Sequence, residues 1–314
     1  MAVNVVVAVS AVTSPGWRAS VQARRRSGPV TVIYSVGVRE DLAVPIPGGR
    51  LCGWIDGDGI PVLLLHGGPG LSFEYLDEVA ADIGEGYRIA AFQQRGLAPS
   101  TAEGPFTMAQ AIDDVITVLD ALAWDRVMLV GHSWGAHLAL RVVAAHPDRL
   151  LGALALEPIG VVGDGATAAF EAEMAARTPQ AARNRMVELD QRAMAGKGTP
   201  AEMRESLQLV WPAYFADPAH TSAMPEVRVS IEAYSGLIHT LTHDTDAVAA
   251  NLSAGAAPYH VIAGAGSPIP WGQAARASAE LSPRGTLTVL PGAGHFPWFE
   301  APGCVRTGLE HLRV

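Results

Sequence analysis

The stretch Arg126-Val127-Met128-Leu129-Val130-Gly131-His132-Ser133-Trp134-Gly135 decides the fold. Arg126 to Val130 is a short apolar run, the mark of a strand buried on both faces. From Gly135 to His146 the pattern turns helical. The Gly-His-Ser-Trp-Gly between them puts a serine on a sharp strand-to-helix turn, where flanking glycines relieve crowding around a strained backbone. The hydroxyl then projects above the sheet, and the helix N-terminus behind it favours developing negative charge. The five residues alone occur by chance; the strand–turn–helix setting is what points to a nucleophile for acyl transfer.

Outward from this turn the same alternation repeats. Pro61 to Leu65, Tyr87 to Phe92, Leu151 to Leu156, Tyr259 to Ala263 and Thr286 to Leu290 read as further buried strands. Helical patterns at Phe73 to Ile83, Thr107 to Leu122, Gln273 to Leu281 and Pro302 to Leu312 separate them. Strand and helix in alternation predict a parallel sheet wound by crossovers. Asp41 to Ile46 and Arg50 to Ile55, joined by Pro-Gly-Gly, predict a leading hairpin. The alternation breaks from Ile159 to Asn251. There Ala- and Met-rich helical stretches (Ala166 to Arg177, Ala181 to Met194, Ala201 to Val210, Val227 to Leu241) predict a helical cap inserted between two strands. The expected organisation is a core of residues 37–158 and 252–314, with a cap over 159–251. Residues 1–36 read as a poorly ordered extension, because the arginines follow the apolar run Ala2 to Val12 instead of preceding it as a signal requires.

Two more loops carry chemistry. His66-Gly67-Gly68-Pro69-Gly70 closes the strand Pro61 to Leu65, where a backbone N–H can meet an oxyanion. Gly68 is the better-placed donor of that loop, and Trp134, the residue after the nucleophile, is the other. His295, in Gly292-Ala293-Gly294-His295, follows the last strand and faces the edge that holds Ser133, so it is the candidate general base.

These segments together resemble the α/β-hydrolase fold, and within it the proline iminopeptidase-like serine hydrolases. The resemblance rests on residues 66–70, 131–135 and 292–295, and on Phe92-Gln93-Gln94-Arg95-Gly96 with Ser100. That last segment resembles the family's Asp-Gln-Arg-Gly…Ser, with Gln93 where the family usually has Asp. The resemblance runs from about residue 38 to the end and implies an α/β core with a mostly parallel sheet and an inserted cap. It also implies a triad acid in a Gly-x-x-Asp loop after the cap. Here that loop reads Gly264-Ala265-Gly266-Ser267, and a serine cannot stabilise an imidazolium as a carboxylate does. Glu157, at the end of the strand Leu151 to Leu156 on the same sheet edge, is the expected replacement. In the cap, Trp211, Tyr214, Phe215 and Tyr234 are the aromatic candidates for lining a substrate pocket. Glu171, Glu173, Glu205, Glu226 and Glu232 are the carboxylates that could pair a substrate ammonium.

Composition narrows the alternatives. The net charge of −9 lacks the basic footprint of a nucleic-acid binder. Lys197 is the single lysine and sits in no phosphate loop or Schiff-base setting. Cys52 and Cys304 form no metal or disulfide spacing and suggest a reducing, cytoplasmic compartment. His239 and His243 have helical spacing without an obvious third ligand, and Asp56-Gly57-Asp58-Gly59 is a turn without the rest of a calcium loop. No metal or organic cofactor and no membrane are expected, and the partner is a small molecule or short peptide. The leading function is a proline iminopeptidase-like serine hydrolase. An esterase, lactonase or thioesterase is the alternative, and a degenerate binding protein, suggested by the lost loop acid, is the third. Epoxide hydrolases and haloalkane dehalogenases, the Asp-nucleophile branches, are disfavoured by the serine at the turn.

Overall fold

The computed structural model describes residues 20–23, 32–35, 39–195, 197–219, 221–255 and 257–313. Its strands are β1 (Ser20–Ala23), β2 (Val32–Ser35), β3 (Glu40–Ile46), β4 (Gly49–Asp56), β5 (Ile60–Leu65), β6 (Tyr87–Phe92), β7 (Val127–His132), β8 (Leu150–Leu156), β9 (Tyr259–Gly264) and β10 (Gly285–Leu290). The core helices are α1 (Leu76–Ile83), α2 (Met108–Ala121) and α3 (Trp134–Ala145) before the insertion, and α9 (Ala277–Ala279), α10 (Pro297–Glu300) and α11 (Cys304–His311) after it. Between β8 and β9 lie α4 (Thr167–Arg177), α5 (Gln180–Met194), α6 (Pro200–Val210), α7 (Ile231–His239) and α8 (Thr245–Ser253). Of the predicted extension over 1–36, only β1 and β2 belong to the described residues, and they pair antiparallel. Among the described residues no helix is long and apolar enough to cross a membrane.

The main sheet has eight strands in the order β10-β9-β8-β7-β5-β6-β4-β3. Its hairpin β3–β4 is antiparallel, as is the β4–β6 pairing, and the strands from β6 to β10 pair in parallel. The apolar runs of β5, β7 and β8 are buried along nearly their whole length because helices cover both faces. Thr286 to Leu290 departs from the expectation of a strand buried on both faces. β10 is the edge strand, and Thr286 and Thr288 are exposed on it.

Two predicted helices also end differently. The run Phe73 to Ile83 becomes helical only at Leu76. Val227 to Ser230 stays extended before α7 because it runs beside the loop after β5. Ser230 N–H donates to Gly70 C=O at 2.8 Å, Ser72 N–H donates to Arg228 C=O at 3.1 Å, and Leu71 bridges Val229. The insertion is thus tied to the loop after β5. Because β5, β7, β8 and β9 are parallel, their carboxyl ends deliver His66, Ser133, Glu157 and the 264–270 loop to one edge, where open α/β sheets bind ligands.

Candidate active site

Ser133 occupies the turn between β7 and α3 with φ 55° and ψ −118°, a conformation that costs of order 1–3 kcal/mol for a residue with a Cβ. Its N–H is held by Leu156 C=O at 2.9 Å. The flanking glycines let the turn close: a Cβ at Gly131 would lie 2.1 Å from Gly135 O, and one at Gly135 would lie 2.1 Å from Leu65 O. Ser133 itself is half-buried. Trp134 opens α3, so its N–H is one of those a helix leaves without an i−4 carbonyl.

Glu157 follows β8 with φ 53°, the second strained non-glycine residue at this edge. Its side chain is 1% exposed. Oε1 accepts from Gly264 N–H, and Oε2 accepts from the Ser267 hydroxyl. The same Oε2 lies 3.4 Å from His295 Nδ1. Ser267, in the position where the sequence suggested an acid was missing, thus donates to the candidate acid Glu157. Ser267 in turn accepts Ile269 N–H at 3.2 Å, which commits its own proton to Glu157. Burial pushes the Glu157 carboxyl up to about 8, while the Ser267 and Gly264 donors pull it down. Burial alone lowers His295 to about 3, so its imidazole is neutral.

The His295 loop is clamped from two sides. His295 N–H donates to Tyr214 C=O at 2.7 Å, and the Tyr214 ring lies 5.0 Å from the imidazole. Glu300 accepts Gly294 N–H at 2.7 Å and Ala216 N–H at 2.9 Å, joining this loop to the aromatic turn of the insertion. From the other side His132 Nε2 donates to His295 C=O at 2.9 Å, and the two rings lie 4.7 Å apart. His132 precedes the serine, so this bond sets the imidazole of residue 295 beside the turn. Neither Glu300 nor this role of His132 was legible in the sequence.

The loop after β5 packs directly on the turn, with Gly67 against Ser133 and His132. Gly67 N–H donates to the Tyr75 hydroxyl at 2.5 Å, which leaves Gly68 N–H as the loop's candidate oxyanion donor. His66 lies beneath, held neutral by burial at about 4. Its Nε2 accepts Gln94 N–H at 3.1 Å. Gln94 joins loop and turn: its Nε2 donates to His66 C=O and its Oε1 accepts Trp134 Nε1, both at 3.0 Å. Gln93 uses its amide to donate to Leu71 C=O and Gln94 C=O at 3.1 Å, a role that an aspartate cannot fill. Arg95 forks onto Asp114 at 2.7 and 2.6 Å, with both side chains almost wholly buried.

The aromatic candidates divide. Phe215 is fully buried and Trp211 nearly so, packed on Phe296 with Trp211 Nε1 donating to Ser222 C=O at 2.8 Å. Tyr214 is half-buried against His295, and Tyr234 is exposed beside the Gly70 end of the loop. Of the candidate cap carboxylates, Glu173 pairs with Arg177 and Glu205 with Arg185. Glu171, Glu226 and Glu232 are exposed, and the Glu171 charge acts on the Tyr234 hydroxyl. His239 and His243 are exposed with rings 5.6 Å apart. Among the described residues no three His, Cys, Asp or Glu side chains gather closely enough to hold a metal ion. Cys304 is buried, whereas Cys52 is only half-buried.

A serine on a strained strand-to-helix turn at the carboxyl edge of a mostly parallel sheet, with a helical segment inserted between β8 and β9, defines the α/β-hydrolase class. Residues 60–302 match the family model described as alpha/beta hydrolase fold, and the chain belongs to that family. It is 34% identical over 104 residues to epoxide hydrolase B of Mycobacterium tuberculosis, a match covering 32% of this chain and 29% of that protein. It is 38% identical over 91 residues to proline iminopeptidase of Lactobacillus delbrueckii subsp. lactis, covering 26% of this chain and 30% of that one. The chain thus spans under a third of the length of these relatives. The crystal structure of proline iminopeptidase from Mycobacterium smegmatis superposes with a TM-score of 0.62 at 20% identity, over 87% of this chain and 98% of that one, which is a likeness of fold.

Proposed function

We propose that this chain is a serine hydrolase working by acyl transfer, with Ser133 as nucleophile, His295 as general base and Glu157 as the acid that orients it. The observation that carries the reading is the junction of Glu157 Oε2 with His295 Nδ1, beside a serine on a strained turn. Ser133 Oγ attacks a substrate carbonyl carbon while its proton passes to His295. Glu157 keeps the proton of the resting imidazole on Nδ1 and stabilises the imidazolium. The tetrahedral oxyanion is met by the N–H groups of Gly68 and Trp134. His295 then returns the proton to the leaving group, and water, activated by the same histidine, hydrolyses the acyl-enzyme. The reading needs no metal or organic cofactor.

The motifs favour a proline iminopeptidase-like amide substrate, and the name of the Lactobacillus relative supports it. An ester, lactone or thioester substrate is the second reading. It is supported by the ion pairing of two of the five candidate cap carboxylates, Glu173 with Arg177 and Glu205 with Arg185, which leaves only the exposed Glu171, Glu226 and Glu232 to meet an ammonium. The name epoxide hydrolase carries less weight, because the turn bears serine at 133. A panel of proline and alanine arylamides set against short aryl esters separates the first two readings. Fluorophosphonate should label Ser133, and Ser133→Ala should lose labelling and at least about a thousandfold in turnover. Turnover surviving that change would overturn the whole reading, and a wild type that neither labels nor hydrolyses would point to a binding protein.

A further inference from the structure

Three loops must agree on one geometry at this edge: the loop after β5, the turn at Ser133, and the loop carrying His295. A continuous hydrogen-bond chain joins them. Gly67 N–H donates to the Tyr75 hydroxyl at 2.5 Å, so the phenol proton is directed at His132 Nδ1, 2.9 Å away. His132 Nε2 faces the carbonyl of His295 at 2.9 Å and must carry the ring proton. The network therefore leaves one tautomer of one neutral imidazole. Burial and the neighbouring His295 both keep His132 from protonating. Trp298 holds the two rings, stacked on Tyr75 at 6.0 Å and edge-on to His132 at 4.8 Å.

We propose that Tyr75 and His132 are positioning residues of the reaction above, forming a relay that turns Gly67 N–H away from the oxyanion and pins the His295 loop to the nucleophile turn. The inference rests on the serine-hydrolase reading. Its physical basis is that oxyanion donors work only when held in advance where charge develops, and that a misplacement of about 1 Å can cost about a hundredfold in rate. Without the phenol hydroxyl, Gly67 N–H loses its acceptor and the loop is free to turn that donor instead of Gly68 N–H toward the substrate. His132→Gln places an amide donor near the Nε2 position, keeping the bond to His295 while losing the one to Tyr75. Tyr75→Phe breaks the same link from the other end and retains the stacking on Trp298.

The test measures kcat, KM, fluorophosphonate labelling rate and Tm for Tyr75→Phe, His132→Gln and the double variant. Both single variants should lose about ten- to a hundredfold in kcat and in labelling rate, with KM changed less than about threefold and Tm by a few degrees. Because they break one link, the double variant should lose no more than either single one. Losses that multiply in the double variant, or a fall in Tm with kcat and labelling unchanged, would overturn the relay. The Ser133→Ala control separates the two ideas. Activity lost there but intact in Tyr75→Phe overturns the relay alone, whereas activity surviving Ser133→Ala overturns the relay and the reading beneath it.

Discussion

Replacing Glu157 by glutamine tests the assignment of the acid with almost no change in shape. In the wild type both carboxylate oxygens accept: Oε1 from Gly264 N–H, Oε2 from the Ser267 hydroxyl, with His295 Nδ1 3.4 Å from the latter. An amide has one oxygen to serve both positions. Turning its NH2 toward Gly264 would oppose two donors in a buried site, at about 1–3 kcal/mol. The oxygen therefore faces Gly264 and the NH2 faces Ser267 and His295. Ser267 can reorient, but His295 Nδ1 must become an acceptor, which moves the ring proton to Nε2 and leaves no lone pair for the Ser133 proton. An amide in place of the triad acid is worth about 10⁴-fold in a well-studied protease through this wrong tautomer. The 3.4 Å separation is longer than an optimal hydrogen bond, so we expect a loss of about 10³- to 10⁴-fold, or about 4–5.5 kcal/mol at 1.36 kcal/mol per tenfold. The assay is kcat/KM on the best substrate of the arylamide and ester panel, with Tm measured at pH 6 and pH 9. Burial raises the Glu157 carboxyl above its unfolded value, so its charging costs the folded state stability as pH rises toward about 8. Glutamine carries no such cost, and the variant should be no less stable than wild type at pH 9. A kcat/KM within tenfold of wild type would refute the argument and send the acid's role elsewhere.

Ser267→Ala removes a donor that favours the charged form of Glu157, so the apparent pKa of the Glu157–His295 pair should rise. The acid limb of the kcat/KM profile should move to higher pH with the plateau changed less than about threefold; a shift to lower pH would contradict the hydrogen-bond assignment. Glu300→Ala leaves Gly294 N–H and Ala216 N–H without their acceptor, and at about 1–3 kcal/mol for each group left unsatisfied it should lower Tm and kcat together in thermal melts and initial rates. Asp114→Ala leaves Arg95 buried without its partner and should cost about 3–5 kcal/mol in a denaturant titration, with little effect on KM.

The serine turn was legible because its determinants are local: a buried strand, two glycines and a helix start lie within about twenty consecutive residues. The same holds for the loop at 66–70 and for His295, whose loop is set by the strand before it and the helix after it. Glu157 was legible as a strand-end carboxylate on the edge that holds Ser133, and it became the candidate acid because the 264–270 loop carries none. What stayed hidden were the side chains that hold these groups in place. Ser267 reads as an empty acid position, yet it donates to a carboxylate 110 residues away. Tyr75 reads as part of a helix, yet its hydroxyl meets His132 across 57 residues, and Glu300 ties the loop at Gly294 to the insertion at Ala216.

The aromatic cluster shows the same division. From sequence, Trp211, Tyr214, Phe215 and Tyr234 are equivalent; in the structure Phe215 and Trp211 fill space under Phe296, and only Tyr214 and Tyr234 keep surface beside the site. For this protein the sequence by itself determined the order of the candidate groups along the chain: the loop at 66–70, the serine turn at 133, the strand-end Glu157 and the His295 loop, each at the end of a periodic segment. Tertiary structure alone decided which polar groups meet. Periodicity reports the conformation of a segment and the face it buries, whereas a hydrogen bond between distant loops depends on sheet register and on how the insertion lies over the strand ends, and neither leaves a mark on the neighbouring residues of the chain.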